Sequence, residues 1–595
     1  MKKLFLGLGI LSTLVLNSCV VLNLAPLSEG SSDNWYSTQE EIEMSLNDFY
    51  RTAFFPIFDK YWGDDVVYRA VTHSVDAGTL TAESGTIKTY WENYYKGIAR
   101  ALKLLSKLDN ARANGVDEKT IAQYEGEAYF YLGYAYGMIA FHWGDAILDK
   151  TGMTLEEAYS ASRSPKADIV AFSLECFDKA AERLPVSYSG VQRATKGAAL
   201  AFKARVALYN EKWQEAAEAA KACMDLKAYT LEPNFGDCFT AQYSKEWIFF
   251  FRGDVTLKQY YWFAADVNNV LGRCVGGWGA CEPSYELACA FPCTDGKPID
   301  ESPLYKENDM WANRDPRMAM TIVPFASAQS DEVLNGTYDY KKYLFLGVEH
   351  TPAPSVTLVH KADGSLTSNN DSKARAEHAG YNGLLWKKGV DQTFIENNRG
   401  GAPTAYIHMR YGDVLLMYAE AMNEQGLCTQ EVLDESINQL RERAYKGTGL
   451  VYPQATAGTQ TELRKLIRME RTIEMAAEGH RYNDLIRWRT AENIWNKPLY
   501  YLKRAWSGST SWNGDPSKCT AEFKQLIKNW EEGHYPIGGN IQLDEDGFPD
   551  LSMCESKGYV VLATERKFDK ERDYLWPIPA SDRLVNPNLT QNPNW

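Results

Sequence analysis

Apolar and small residues recur every three to four positions through much of the chain, the spacing that lays one buried stripe along a helix. Between 119 and 142 that stripe runs through Ile121, Tyr124, Ala128, Leu132, Ala135 and Ile139. The same spacing over 166–184 predicts a second helix, ended by Pro185. Residues 195–209, TKGAALAFKARVALY, predict an Ala-rich helix. A three-residue turn separates it from another helix, Trp213 to Leu226. Small side chains at Ala201, Ala204, Ala216, Ala217 and Ala220 let two antiparallel helices approach closely. Helix, short turn with an aromatic, then a second Ala-rich helix is the texture of a tetratricopeptide hairpin. It recurs at 411–425 and 429–445, joined across Gly426. Nearer the start, Thr38 to Tyr50 reads as a helix whose Thr38 and Glu41 form a capping box.

Elsewhere the period fails. Residues 51–85 mix Gly, aromatics and acids, and 229–405 and 496–560 are rich in Gly, Pro, Asn and Tyr. Long irregular segments in a compact protein are usually functional loops. The expected fold is therefore mostly α, a tetratricopeptide-like helical-repeat scaffold packed against an irregular, loop-rich ligand-binding subdomain. The expected parts are 1–18, a signal peptide; 19–34, a lipid-anchored tether; and 35–228, an N-terminal helical-repeat part. They continue with 229–405, a loop-rich binding insertion; 406–490, helices completing the scaffold; and 491–595, an irregular C-terminal part.

Composition narrows the function. The 595 residues correspond to about four domain-sized units. With 63 basic and 78 acidic side chains the formal charge is −15, which argues against nucleic acid as a partner. An apolar content of 45 % excludes a mostly disordered chain. The aromatics, 23 Phe, 17 Trp and 36 Tyr, exceed what a core needs and suggest surfaces that grip flat ligands.

The N-terminus reads as an address. Lys2 and Lys3 precede an uncharged stretch, Leu4 to Leu16, too short to span a bilayer comfortably. It ends in Leu16-Asn17-Ser18-Cys19, which resembles a bacterial lipobox. Cleavage would then fall before Cys19, with the lipid on its thiol. No later apolar run reaches spanning length, so the expected protein is exported and anchored without crossing the membrane. Export favours disulfides over zinc or thiol catalysis. Among Cys274, Cys281, Cys289 and Cys293 one or two bridges are expected, with connectivity open.

Candidate chemistry is sparse. In EGHRYNDLIRW (478–488), Glu478, Arg481, Asp484 and Arg487 stand at three-residue steps. That spacing reads as ion pairing along a helix, with Gly479 allowing close packing. No GxSxG elbow and no triad arrangement accompanies it. The eight His form no HExxH, so no metal or cofactor is expected. LDEDGFPD (543–550) holds part of a calcium-loop pattern but lacks the full ligand set, and reads as a solvated turn. Nothing singles out a carboxylate pair for glycoside cleavage.

Binding candidates cluster in two places. The first holds Trp62, Asp65, Tyr68 and Arg69, ahead of Trp91-Glu92-Asn93-Tyr94-Tyr95, which opens a structural helix. The second holds Tyr261, Trp262, Asn269, Trp278 and Tyr285. Sugars lay C–H patches on Trp and Tyr rings while their hydroxyls bond to polar side chains. Trp278, set among Gly276, Gly277 and Gly279, is the sharpest candidate.

Strings along nearly the whole chain resemble the SusD/RagB family of outer-membrane nutrient-binding lipoproteins of Bacteroidetes. They are EGEAYFYLGYAYGMIAFHWGD (125–145), TKGAALAFKARVALY (195–209), AFPCTDGKPI (290–299) and NRDPRM (313–318). RYGDVLLMYAEA (410–421), EGHRYNDLIRW (478–488), YLWPIP (574–579) and PNLTQNPNW (587–595) follow in order. The resemblance implies four tetratricopeptide-like helix pairs and a non-enzymatic protein. It also implies an oligosaccharide ligand, a SusC-like TonB-dependent barrel as partner, and an outer-membrane position facing outside the cell. One departure stands out: Val20 to Leu24 carry no acid, and the first after Cys19 is Glu29, unlike many surface-exported lipoproteins of this phylum. Alternatives are a peptide-binding RagB-like lipoprotein, a pure protein–protein adaptor and a glycoside hydrolase.

Overall fold

The computed structural model describes residues 35–56, 62–68, 74–75, 77–189, 192–261, 267–272, 277–307, 309–324, 358–360, 366–368, 382–390, 403–502, 521, 541–544, 546–556 and 560–595. Cys19, Arg69, Trp262 and Cys274 lie outside them.

The scaffold helices are α1 (Gln39–Asn47), α2 (Gly85–Ala113), α3 (Glu118–Trp143), α4 (Lys166–Arg183), α5 (Lys196–Tyr209) and α6 (Trp213–Asp225). After the loop-rich insertion come α7 (Tyr411–Glu424), α8 (Gln430–Asp434), α9 (Ile437–Tyr445), α10 (Gln460–Glu474) and α11 (Arg481–Trp488). From α2 to α6 each helix packs on the one before it, α6 packs on α7, and α7 packs on α10. The protein is mostly helical, as its periodicity predicts. Helix starts follow the sequence signals. Thr38 and Glu41 close the capping box at α1, and the Asp117 carboxylate accepts the Thr120 N–H at the start of α3. A continuous core runs through these helices, and α3 is buried almost all round because α2, α4 and α5 enclose it.

One expected helix is broken. The 429–445 segment divides into α8 and α9 around Ser436. The Ser436 hydroxyl donates to the Val432 carbonyl, a local bond that competes with the helix ladder.

Four short strands matter for the site: β1 (Val66–Tyr68), β2 (Trp247–Phe251), β3 (Cys281–Pro283) and β4 (Tyr406–Arg410). Antiparallel β2 and β4 clamp the two ends of the insertion together. β1 pairs with β3 antiparallel, Val66 opposite Pro283 and Tyr68 opposite Cys281. A second, smaller core gathers Val66, Cys281, Tyr285, Phe291, Trp386 and Ile473 beneath that ribbon.

The scaffold joins the insertion through buried ions. In one cluster Arg317, Lys388, Arg410, Arg441 and Arg443 meet Glu246, Asp315, Glu470, Glu474 and Glu478. In a neighbouring one Arg205, Arg471 and Arg487 meet Asp413, Glu420 and Asp484. Charges balance within each cluster, the condition under which buried ions are tolerated. The EGHRYNDLIRW carboxylates and guanidiniums therefore reach across elements. Glu478 bonds Arg410 and Lys388, and Arg481 bonds Asp64; only Asp484 and Arg487 pair along one helix. The reason is that α11 begins at Arg481. Ala477 and Gly479, at φ +61° and +77°, turn the chain ahead of it, so Gly479 serves the turn and not helix packing.

Burial alone would raise the pKa of Asp413, but Arg471 and Arg205 outweigh it and hold the carboxyl well below its ordinary range. Glu474 is held down against burial by Arg443, Arg410 and Arg317. Glu478 and Asp484 are lowered in the same way by their arginines. A depressed carboxylate stabilises the fold above its unfolded pKa and loses that stabilisation as pH falls through the folded value. The melting midpoint should therefore drop steeply below about pH 4 in differential scanning calorimetry. A midpoint unchanged at about pH 3 would contradict the assigned roles of these ions.

Candidate functional site

The two candidate regions, distant in sequence, become neighbours through β1 and β3. At the outer end of this ribbon, Trp278 stands 52 % exposed. Its loop is held by backbone bonds. Gly277 N–H donates to Gly272 O at 2.9 Å, Gly279 N–H to Leu271 O at 2.9 Å, and Ala280 N–H to Asn269 O at 2.8 Å. The chain passes so close that a Cβ on Gly277 would lie 2.2 Å from the Leu271 carbonyl oxygen. Gly279 adopts φ +51°. The indole is thus displayed from a fixed support. Gly277→Ala should disturb this loop, weakening ligand binding at least about tenfold while the melting midpoint moves little. Titration calorimetry beside a thermal melt reads both; binding equal to that of the parent would contradict the loop's role.

Tyr68 is half-buried opposite Cys281. Tyr261 is half-buried against Phe251, ring centroids 5.9 Å apart. Three candidates turn inward and do not display polar or aromatic surface. Trp62, 4 % exposed, packs edge-on against Tyr482 and Trp576. Tyr285, 2 % exposed, donates its hydroxyl to the Asn382 carbonyl. Asn269 is buried, and its backbone carbonyl fixes the Trp278 loop. Ring area is better buried in these positions than solvated, and the sequence does not distinguish the two uses.

At the inner end of the ribbon Asp64, Asp65 and Glu286 line a cleft of about 940 Å³. A second cavity of about 540 Å³ adjoins it and shares Glu286, Leu543, Asp544 and Phe548. The dividing lip is the LDEDGFPD turn. Leu543 bridges Pro549, the Asp544 carboxylate accepts the N–H groups of Asp546 and Phe548, and Gly547 turns at φ +84°. Two parts of this lining, Asp65 and the acid-rich turn, are visible in the sequence, but that they meet in one cleft is not. Arg481 pairs with Asp64 and lies 5.0 Å from the Phe548 ring centroid. Burial, then neighbouring Asp64, pushes Asp65 up to about 6. Burial raises Glu286 to about 7 against the pull of Arg566.

The expected bridges do not include Cys289 or Cys293, and Cys274 lies outside the described residues. Cys289 and Cys293 are free thiols in the second core, and burial raises the pKa of each. Among the described residues no group of three His, Cys, Asp or Glu is placed to hold a metal ion. No described helix is long and apolar enough to cross a membrane.

Residues 245–595, more than half of the chain, match the SusD family. The chain belongs to the SusD family. Residues 35–208 also match a family described as "Starch-binding associating with outer membrane". SusD-like protein P2 of Formosa agariphila is 24 % identical over 513 residues, covering 81 % of this chain and 90 % of that protein. SusD-like protein P38 of the same organism is 25 % identical over 514 residues, with the same coverage. A SusD-like carbohydrate-binding protein from Bacteroides fragilis superposes with a TM-score of 0.68 at 23 % identity, over 93 % of this chain and 99 % of that one. A laminarin-binding SusD-like protein superposes with a TM-score of 0.57 at 17 % identity, over 94 % and 100 %. At these identities the superpositions speak for a shared SusD fold.

Proposed function

We propose that this SusD-family protein is a nutrient-binding lipoprotein, anchored at the outer membrane through Cys19, that captures oligosaccharides without breaking a bond. It hands them to a SusC-like TonB-dependent barrel. One observation carries the reading: a half-exposed indole, Trp278, is held on a hydrogen-bonded loop at one end of the β1–β3 ribbon, whose other end borders a large polar cleft. A fixed ring offers flat apolar area at little cost in side-chain entropy, and nearby polar groups choose among hydroxyl patterns. The laminarin-binding protein of the same fold supports a glycan over other ligands. The charged groups of the cleft serve binding in this reading, and no reacting group is required.

A glycan array with the full chain, followed by chromatography of each bound glycan, tests the proposal. The expected result is binding to a small set of oligosaccharides, each recovered uncut. Shortened products, or binding confined to peptides, would overturn it.

A further inference from the structure

Two buried carboxylates line the cleft without a direct ion pair among the described residues. Glu286 is 7 % exposed, lies on the wall common to both cavities and has no ion pair among the described residues. Asp65 is 5 % exposed; it accepts the Ala477 N–H and likewise has no ion pair. Arg566 and Arg481 act on Glu286 and Asp65 from a distance without forming an ion pair with them, and the nearby cations hold other direct partners. Arg481 is held by Asp64, Lys497 by Asp544, and Arg566 donates to the Lys497 carbonyl. Arg464 and Arg468, on the opposite wall, pair with Glu424 and Asp546. Lys297 and Lys465 stand exposed at the rim.

A buried carboxylate without a direct ion pair favours taking up a proton or a further cationic partner. Here the two carboxylates line a volume large enough for several sugar rings. The described residues bring no three metal-ligating groups together, so the partner that fits is an organic cation with N–H donors.

We propose that the floor of this cleft, Glu286 with Asp65, binds the protonated primary amine of a non-acetylated amino sugar. This rests on the glycan-binding reading and narrows it to a ligand class. The ammonium meets the carboxylates by charge-assisted hydrogen bonds, and the ring stays within the cleft. Burial holds Glu286 near pH 7, with Asp64 raising it, and Arg566 and the Ser284 hydroxyl lowering it. The site therefore loses its charge in mild acid and, with it, its preference for the amine.

Titration calorimetry of the full chain with glucosamine trimer, its fully N-acetylated form and a lysine tripeptide tests this. At about pH 7 the free-amine trimer should bind at least about tenfold more tightly than the acetylated one. At about pH 5 the two should agree within about threefold. Glu286→Gln should remove the preference and leave the acetylated trimer unchanged. Should that variant misfold, the pH series on the parent protein decides alone. Equal affinities at both pH values, or tripeptide binding as tight as the amino sugar, would overturn the inference. Neutral glycans binding without amine preference would sink this inference only; failure of every glycan would sink the underlying reading too.

Discussion

Glu474→Ala should lower the unfolding free energy by about 3–5 kcal/mol, the cost of stripping one partner from a buried ion pair. Glu474 is fully buried at the end of α10. It bonds Arg410 at 2.8 Å and Arg317 at 3.0 Å, and it also binds Arg443. Removing it takes one carboxylate from three buried guanidiniums and leaves the cluster with excess positive charge where water cannot reach it. The neighbouring carboxylates Glu246, Glu470 and Glu478 are already committed to the same cations. Glu474→Gln keeps the shape and loses the charge, so it should destabilise as well. A control is Glu92→Ala, whose pairs with Lys88 and Lys96 lie on the exposed face of α2. It should change stability by less than about 0.5 kcal/mol. Guanidinium midpoints at constant slope measure all three. Similar midpoints for Glu474→Ala and Glu92→Ala would show that the ion clusters do not hold scaffold and insertion together.

Trp278→Ala should abolish most glycan binding, a loss of at least about thirtyfold, and leave the melting midpoint within about 1 °C. The ring is half exposed and lies outside both large cores, so truncation opens no cavity in them. About half of its surface is open to a ligand, and a stacked ring typically dominates such a site. Trp62→Ala makes the informative contrast. That ring is buried among Tyr90, Tyr482 and Trp576, so its loss should cost about 3–5 kcal/mol of stability. Calorimetric titration with a bound glycan separates the two cases. Unchanged affinity in Trp278→Ala would remove the ring from the site.

Much of the scaffold was legible because helix signals are local. A stripe at 3.6-residue spacing, Thr38 with Glu41, and Ala-rich facing helices are all readable within one turn or one hairpin. What failed was one local side-chain bond and several non-local contacts. The break between α8 and α9 depends on where one serine hydroxyl points. The cross-element pairing of Glu478 and Arg481 depends on residues more than sixty positions away. The candidate site was legible to about the same depth. Aromatic clusters and a Gly-flanked Trp278 located the two regions, and β1 with β3 brought them together. The flanking glycines singled out Trp278, which is displayed, but nothing in the sequence showed that Trp62 packs inward. The cleft was invisible because Asp65, Glu286 and the 543–549 turn meet only in three dimensions.

The central claim is noncovalent capture of a sugar on a displayed indole. A crystal structure of the full chain soaked with an array-selected oligosaccharide tests it most directly. A pyranose ring should lie parallel to the Trp278 indole at about 4 Å, its glycosidic bonds intact and its neighbouring groups reaching toward the cleft. Sugar density elsewhere on the molecule, with the Trp278 ring bare, would contradict the claim.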